Sequence, residues 1–127
     1  MTRAVDAELP REPTCGAVAR RIVERQYGAR LDVGTLNDLK LVVSELALNA
    51  YVHGIGRIRL RLDADESRVR VAIRDEGRNA TIKIGPLGAS GGLGLRLIDC
   101  LCSQWGAYDG STHVWAELPI DRQSQAR

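Results

Sequence analysis

The chain has 127 residues, 44% of them apolar and 27% charged, with a formal net charge of +2 at pH 7. That length supports one domain around one core, and the composition excludes wholesale disorder. The charge excess is too small to announce a nucleic-acid partner, and no apolar run is long enough to span a bilayer.

The segment from Met1 to Pro10 carries Asp6 and Glu8 and has no signal-peptide core, so the expected compartment is the cytoplasm. Residues 2–9 are expected to form an edge strand that ends at Pro10. Residues 14–29 read as a helix: Thr14 is a plausible N-cap, Val18 and Ile22 keep a helical period, and Gly28 closes it. A second helix is expected over residues 35–53, with Thr35 as its cap, Asp38 in its first turn and Gly54 at its end. Its apolar positions Leu36, Leu39, Val43, Leu46 and Ala50 step by three and four.

Two strands follow, over 57–62 and 68–74, with apolar and polar residues alternating. Asp63 to Ser67 make the turn, so the pair reads as a hairpin. Residues 76–92 have no periodicity, and five of the ten positions from 85 to 94 are glycine. A stretch that long inside a compact domain is usually functional. A third helix is expected over 93–104, with Leu93, Leu97, Ile98 and Leu101 on one side. A last strand runs from Thr112 to Leu118, and the polar tail after Pro119 is expected to fray. This order describes an α+β fold, a two-layer sandwich with a mixed, mostly antiparallel sheet and helices on one face.

Several residues break the pattern. Glu45, Asn49 and His53 form one polar stripe on an otherwise apolar helix. An Asn carbonyl oxygen is a hard ligand suited to Mg2+, which keeps waters and phosphates as its other ligands. A Glu one turn earlier can accept a proton from an attacking hydroxyl. A solvated helix face is the competing reading, and His53 reads as a cap on the helix C-terminus. Asp75 shares the parity of inward Val69, Val71 and Ile73, so a carboxylate points to the core side at the strand's end. A turn-capping Asp is the competing reading there. Thr112 shares the inward side with Val114, Ala116 and Leu118. An inward Asp and an inward Thr suit an adenine amino group and ring nitrogen. Gly91-Gly92-Leu93-Gly94-Leu95 opens the third helix, where backbone N–H groups bind phosphate well. No P-loop and no dinucleotide βαβ unit is present.

With these residues in place, a resemblance becomes specific. Ser44-Glu45-Leu46-Ala47-Leu48-Asn49-Ala50 resembles the N box of the gyrase/histidine-kinase/MutL (Bergerat-fold) ATPases. Asp75-Glu76-Gly77 resembles their first glycine box and Gly92-Leu93-Gly94-Leu95 their second. Residues 105–115 look like the closing adenine-side strand. The motifs come in order over about residues 8–119, and the short chain is similar to the anti-sigma-factor serine kinases.

The resemblance implies ATP and Mg2+ as ligands. It implies Asn49 as the Mg2+ ligand and Glu45 as general base for serine phosphorylation. Asp75 would hold the adenine amino group, with Gly77 against the ring and Thr112 in support. Gly92, Gly94 and Leu95 would belong to the phosphate-side loop, and residues 78–91 to an ATP lid. The implied partners are a STAS-type anti-anti-sigma protein carrying the target serine, a sigma factor, and a second copy of the chain. Two departures stand out: Asn79 replaces a glycine common in the first box, and the second box has no lysine. They leave open a module that binds ATP and a partner without efficient transfer. A basic scaffold or nucleic-acid protein with a structural glycine loop is a third reading.

Arg57, Arg59, Arg61, Arg68, Arg70 and Arg74 fall on the outward face of the hairpin, beside outward His113, Trp115 and Glu117. That face reads as solvated, or as a docking surface if it lacks interleaved acids. The cysteines Cys15, Cys100 and Cys102 form neither a CxxC nor an even set and read as reduced thiols. Cys100 and Cys102, two apart in the third helix, make a poor metal pair.

Overall fold

A computed structural model describes residues 3–77, 92–107 and 113–120. Its elements are β1 (Arg3–Leu9), α1 (Cys15–Tyr27), α2 (Val33–His53), β2 (Ile58–Ala64), β3 (Arg68–Arg74), α3 (Gly92–Leu101), β4 (Gln104–Ala107) and β5 (Val114–Pro119). The strands form one sheet in the order β1-β2-β3-β5-β4. All four described ladders are antiparallel, so the parallel part of the expected mixed sheet has no counterpart among the described residues. α2 packs on β2, β3 and β5, and α1 packs on α2. The result is the expected α+β sandwich.

Alternation builds the interface between the layers. Ile58, Leu60, Leu62, Val69 and Val71 are fully buried, as are Val42, Val43 and Leu46 from α2 and Ala116 and Leu118 from β5. Burial of each large aliphatic side chain is worth about 1.5–3 kcal/mol. An exposed ion pair contributes about 0–1 kcal/mol. The apolar face therefore holds the sheet to α2, and the charged face sets no comparable constraint. Among the described residues no helix is long and apolar enough to cross a membrane.

Element ends move where a local hydrogen bond outweighs the apolar pattern. α2 starts at Val33 because Asp32, in extended conformation, is its cap and accepts from the Thr35 N–H at 3.0 Å. Thr35 is therefore buried within the first turn instead of capping it, and Asp38 falls in the second turn. Thr14 stands at the N-cap of α1, but its hydroxyl donates to Glu12 at 3.4 Å and not to the helix. The 65–67 turn is tighter than expected, since β2 runs on to Ala64. The Asp65 carboxylate accepts from the Ser67 and Arg68 N–H groups at 2.8 and 3.0 Å. Those backbone bonds hold its carboxyl below the usual range.

The expected third helix ends early. After Leu101 the Ser103 N–H donates to the Glu117 carbonyl at 2.9 Å and draws the chain onto the sheet edge as β4. The Trp105 indole N–H, donating to Asp99 at 2.8 Å, clasps β4 to α3. Cys102 thus lies just past α3, not in it. Burial first, and then Asp38 and Asp99, push its thiol up to about 12. Burial also raises Cys15, whose thiol donates to the Ala47 carbonyl at 3.5 Å. Both behave as packed thiols, and all three cysteines are free.

The outward arginines do have interleaved acids, Asp63 on their own strand and Asp6 and Glu117 on neighbouring ones. Asp6 of β1 pairs with Arg59 at 3.0 Å, and Asp63 with Arg61 at 3.0 Å. Glu117 of β5 receives Arg68 at 3.2 Å and Arg70 at 3.0 Å with its side chain only 7% exposed. Burial separates these pairs energetically. Glu117→Ala removes a buried carboxylate that accepts from two arginines and is expected to lower stability by about 1–3 kcal/mol. Asp6→Ala is expected to lower it by less than about 1 kcal/mol. Urea denaturation of the two variants beside the parent chain measures both, and equal losses would refute the distinction.

Candidate functional site

The end of α2 and the end of β3 meet at one point. Asp75 follows β3 and keeps the inward parity of Ile73, which carries its carboxylate under the last turn of α2. Gly54 is the C-cap of that helix. A Cβ at Gly54 would collide with the Asp75 carboxylate and would lie 2.6 Å from the Ala50 carbonyl oxygen. Only a residue without a side chain lets the helix end come this close to the carboxylate. The Gly77 N–H donates to Asp75 Oδ1 at 2.7 Å, and Oδ2 is shielded from solvent. The carboxylate is thus fixed in orientation within an otherwise apolar layer.

Two further contacts hold the loops in place. The Glu76 N–H donates to the Ile55 carbonyl at 2.8 Å, and the Glu76 carboxylate accepts from the Arg57 N–H at 2.7 Å. Gly56 lies between them with φ of +73°, and a Cβ there would strike the Glu76 carboxylate. On the other side the Arg11 guanidinium donates to the carbonyls of Gly56, Tyr51 and Ala50 at 2.5, 2.9 and 3.1 Å. It adds a donor at the Tyr51 and Ala50 carbonyls of the last helical turn and sets a cation against the negative end of the helix dipole.

The expected site residues divide into groups. Asp75 and Gly77 are brought together with Gly54. Glu45 and Asn49 are half-buried along α2, whereas His53 is exposed at its end. Asn49 precedes Gly54 by about 7.5 Å along the helix axis and Glu45 by about 13.5 Å, at about 1.5 Å rise per residue. Gly92, Gly94 and Leu95 lie in the first turn of α3, and α3 packs against α2. Thr112, Asn79 and the expected lid over 78–91 lie outside the described residues. A surface hollow of about 290 Å3 lies elsewhere, on the opposite face of the sheet near Arg59, Arg70 and His113.

Residues 7–117 match the model of the histidine kinase-like ATPase domain. The chain belongs to that family. The match begins in β1 and ends in β5, so it takes in every described helix and the meeting point of α2 with Asp75. No curated protein matches the chain. Membership carries ATP binding by a kinase-like ATPase domain as the function of the fold.

The donor set suits such a ligand. A fixed carboxylate beside a backbone N–H can accept from an exocyclic amine. Among the described residues no group of three or more His, Cys, Asp or Glu could hold a metal ion. A cation here would take an Asn49 oxygen and draw its remaining ligands from phosphates and water, the habit of Mg2+.

The reading of the motifs missed Arg11, Glu76 and the close-approach roles of Gly54 and Gly56. The Gly54-x-Gly56 spacing was a usable signal. Arg11 gave none, since its acceptors lie 39–45 residues away. Arg11→Ala is expected to destabilise the fold by roughly 2 kcal/mol, the scale of losing hydrogen bonds from a charged donor. Arg11→Lys should recover less than half of that, because an ammonium cannot span three carbonyls as a fork does. Thermal and urea unfolding of both variants test this, and full recovery by Lys would show that charge alone suffices.

Proposed function

We propose that this family member is an ATP-dependent anti-sigma-factor serine kinase, which phosphorylates a STAS-type anti-anti-sigma partner, sequesters a sigma factor, or does both. The observation that carries the reading is the Asp75 carboxylate set against Gly54 at the end of the helix that bears Glu45 and Asn49. The N box and both glycine boxes add to it. In this reading the protein acts in the cytoplasm, as a homodimer, without membrane or nucleic-acid contact.

Bound ATP would supply the phosphoryl group, with Mg2+ offsetting the charge of its phosphates. Asp75 would accept a hydrogen bond from the adenine amino group, with Gly77 lying against the ring and Thr112 supporting it. The Asn49 amide oxygen would ligate Mg2+. Gly92, Gly94 and Leu95 would present backbone N–H groups of the α3 N-terminus to the phosphates. Glu45 would take the proton of the partner's serine hydroxyl, a role worth about 10²–10⁴-fold in rate. A second reading, a regulatory module that binds ATP without efficient transfer, rests on Asn79 and on the second box lacking a lysine.

Calorimetric titration with ATP, with and without Mg2+, tests the site. The parent chain is expected to bind saturably, Asp75→Ala to lose binding, and Asn49→Ala to lose the dependence on Mg2+. Binding unchanged in Asp75→Ala would overturn the site. Transfer of labelled phosphate to a STAS-type partner then separates the readings. Glu45→Ala should keep ATP affinity and lose about 10²–10⁴-fold in transfer. Transfer unchanged in that variant would remove Glu45 from its role. ATP binding with no transfer by the parent chain would favour the second reading.

A further inference from the structure

The sheet face that carries no helix has a hollow of about 290 Å3 centred on Ala72. It exists because Ala72 has a single methyl group between Arg70 and Arg74 on its own strand and stands opposite Arg61 and Trp115 on the neighbouring strands. Most cations at its rim are already engaged. Arg59 pairs with Asp6 at 3.0 Å, and Arg61 with Asp6 at 3.7 Å and Asp63 at 3.0 Å. Arg70 pairs with Glu117 at 3.0 Å, and its guanidinium carbon lies 4.5 Å from the centre of the Trp115 ring.

Arg74 differs. It has no ion pair among the described residues. The register sets it directly opposite Arg59, a like-charge pairing that destabilises a sheet. His113 completes the wall. Burial, then Arg74, then Arg70 push its imidazole below the ordinary histidine value. Four arginines, Arg59, Arg61, Arg70 and Arg74, line the hollow against two aspartates, Asp6 and Asp63, so its wall keeps a positive excess centred on Arg74.

We propose that this hollow is an oxyanion site, in which Arg74, Arg59 and Arg70 hold one phosphate or carboxylate group over Ala72 beside His113. Guanidinium groups suit either ligand through paired N–H donors. The volume lies at the lower end of small-ligand sites, about 300–1,000 Å3, and fits a single anionic head group better than a whole nucleotide. Asp6 and Asp63 interrupt the positive surface and would repel an extended polyanion. The hollow lies across the sheet from Asp75, so the proposal is independent of the nucleotide site.

The test follows His113 by NMR in the full chain without nucleotide, at constant ionic strength. Inorganic phosphate is titrated in one arm and succinate in another. The charged groups that line the hollow with His113 are Arg59, Arg61, Asp6, Asp63, Arg70 and Arg74. A bound anion offsets the arginines, so the His113 pKa should rise saturably. Arg74→Ala, at an exposed position that tolerates truncation, should weaken the apparent affinity by about tenfold or more, with Arg74→Lys intermediate. A saturable response to phosphate assigns a phosphoryl ligand, and one to succinate assigns a carboxylate. The proposal is overturned by no saturable response in either arm, by an equal response to chloride, or by an unchanged affinity in Arg74→Ala. Asp75→Ala should leave the response intact, and its loss there would place the anion at the other site.

Discussion

Position 54 has no volume for a side chain, and the candidate site is built on that exclusion. A carboxylate in an apolar layer costs several kcal/mol unless hydrogen bonds replace its water. Asp75 meets that demand through the Gly77 N–H, while Gly54 lets α2 close over it. The same approach brings the Glu76 backbone to Ile55 and its side chain to Arg57. Arg11 then ties the helix end to the loop from the first connection of the chain. The helix bearing Glu45 and Asn49 is thereby fixed in height relative to the strand bearing Asp75. That height is what a ligand touching both would sense.

The two faces of the sheet obey different physics. The face under α2 is held by burial, and its few polar groups are fixed by short, directed bonds. The outer face is balanced in charge, largely between strands distant in sequence. β1 supplies Asp6 and β5 supplies Glu117, so arginine pairs that look repulsive along β2 and β3 become ladders of alternating sign. Where the ladder fails, at Arg74, the surface remains electrostatically unfinished.

Much of this was legible from residues alone, wherever the cause is local. The alternation of Ile58, Leu60, Leu62, Val69, Val71 and Ile73 specifies the hairpin and its inward face. The parity of Asp75 specifies its direction. The stepping of Leu36 through Ala50 specifies the buried side of α2. What was not legible depends on distant partners. Asp32 and Thr35 are both competent caps, and packing of Thr35 decides between them. β4 has only four residues and exists because Ser103 finds the Glu117 carbonyl. Asp6 and Glu117, which neutralise most of the outward arginines, sit one strand away, in a register that no local pattern reveals. The role of Gly54 needed Asp75 in place, so a helix stop and a close-approach glycine looked alike.

The strand order has a consequence for synthesis. β3 is central, yet one of its two neighbours is β5, the last strand of the sheet. As the chain leaves the ribosome, β1, β2 and β3 can assemble with α1 and α2, but the far edge of β3 stays unpaired until residues 114–119 emerge. At about 5–20 residues per second that interval lasts a few seconds. Throughout it Val69, Val71 and Ile73 border an open row of backbone donors and acceptors. The nascent protein therefore passes through a stage in which its future centre is a sticky margin, and chaperone engagement has its natural window there.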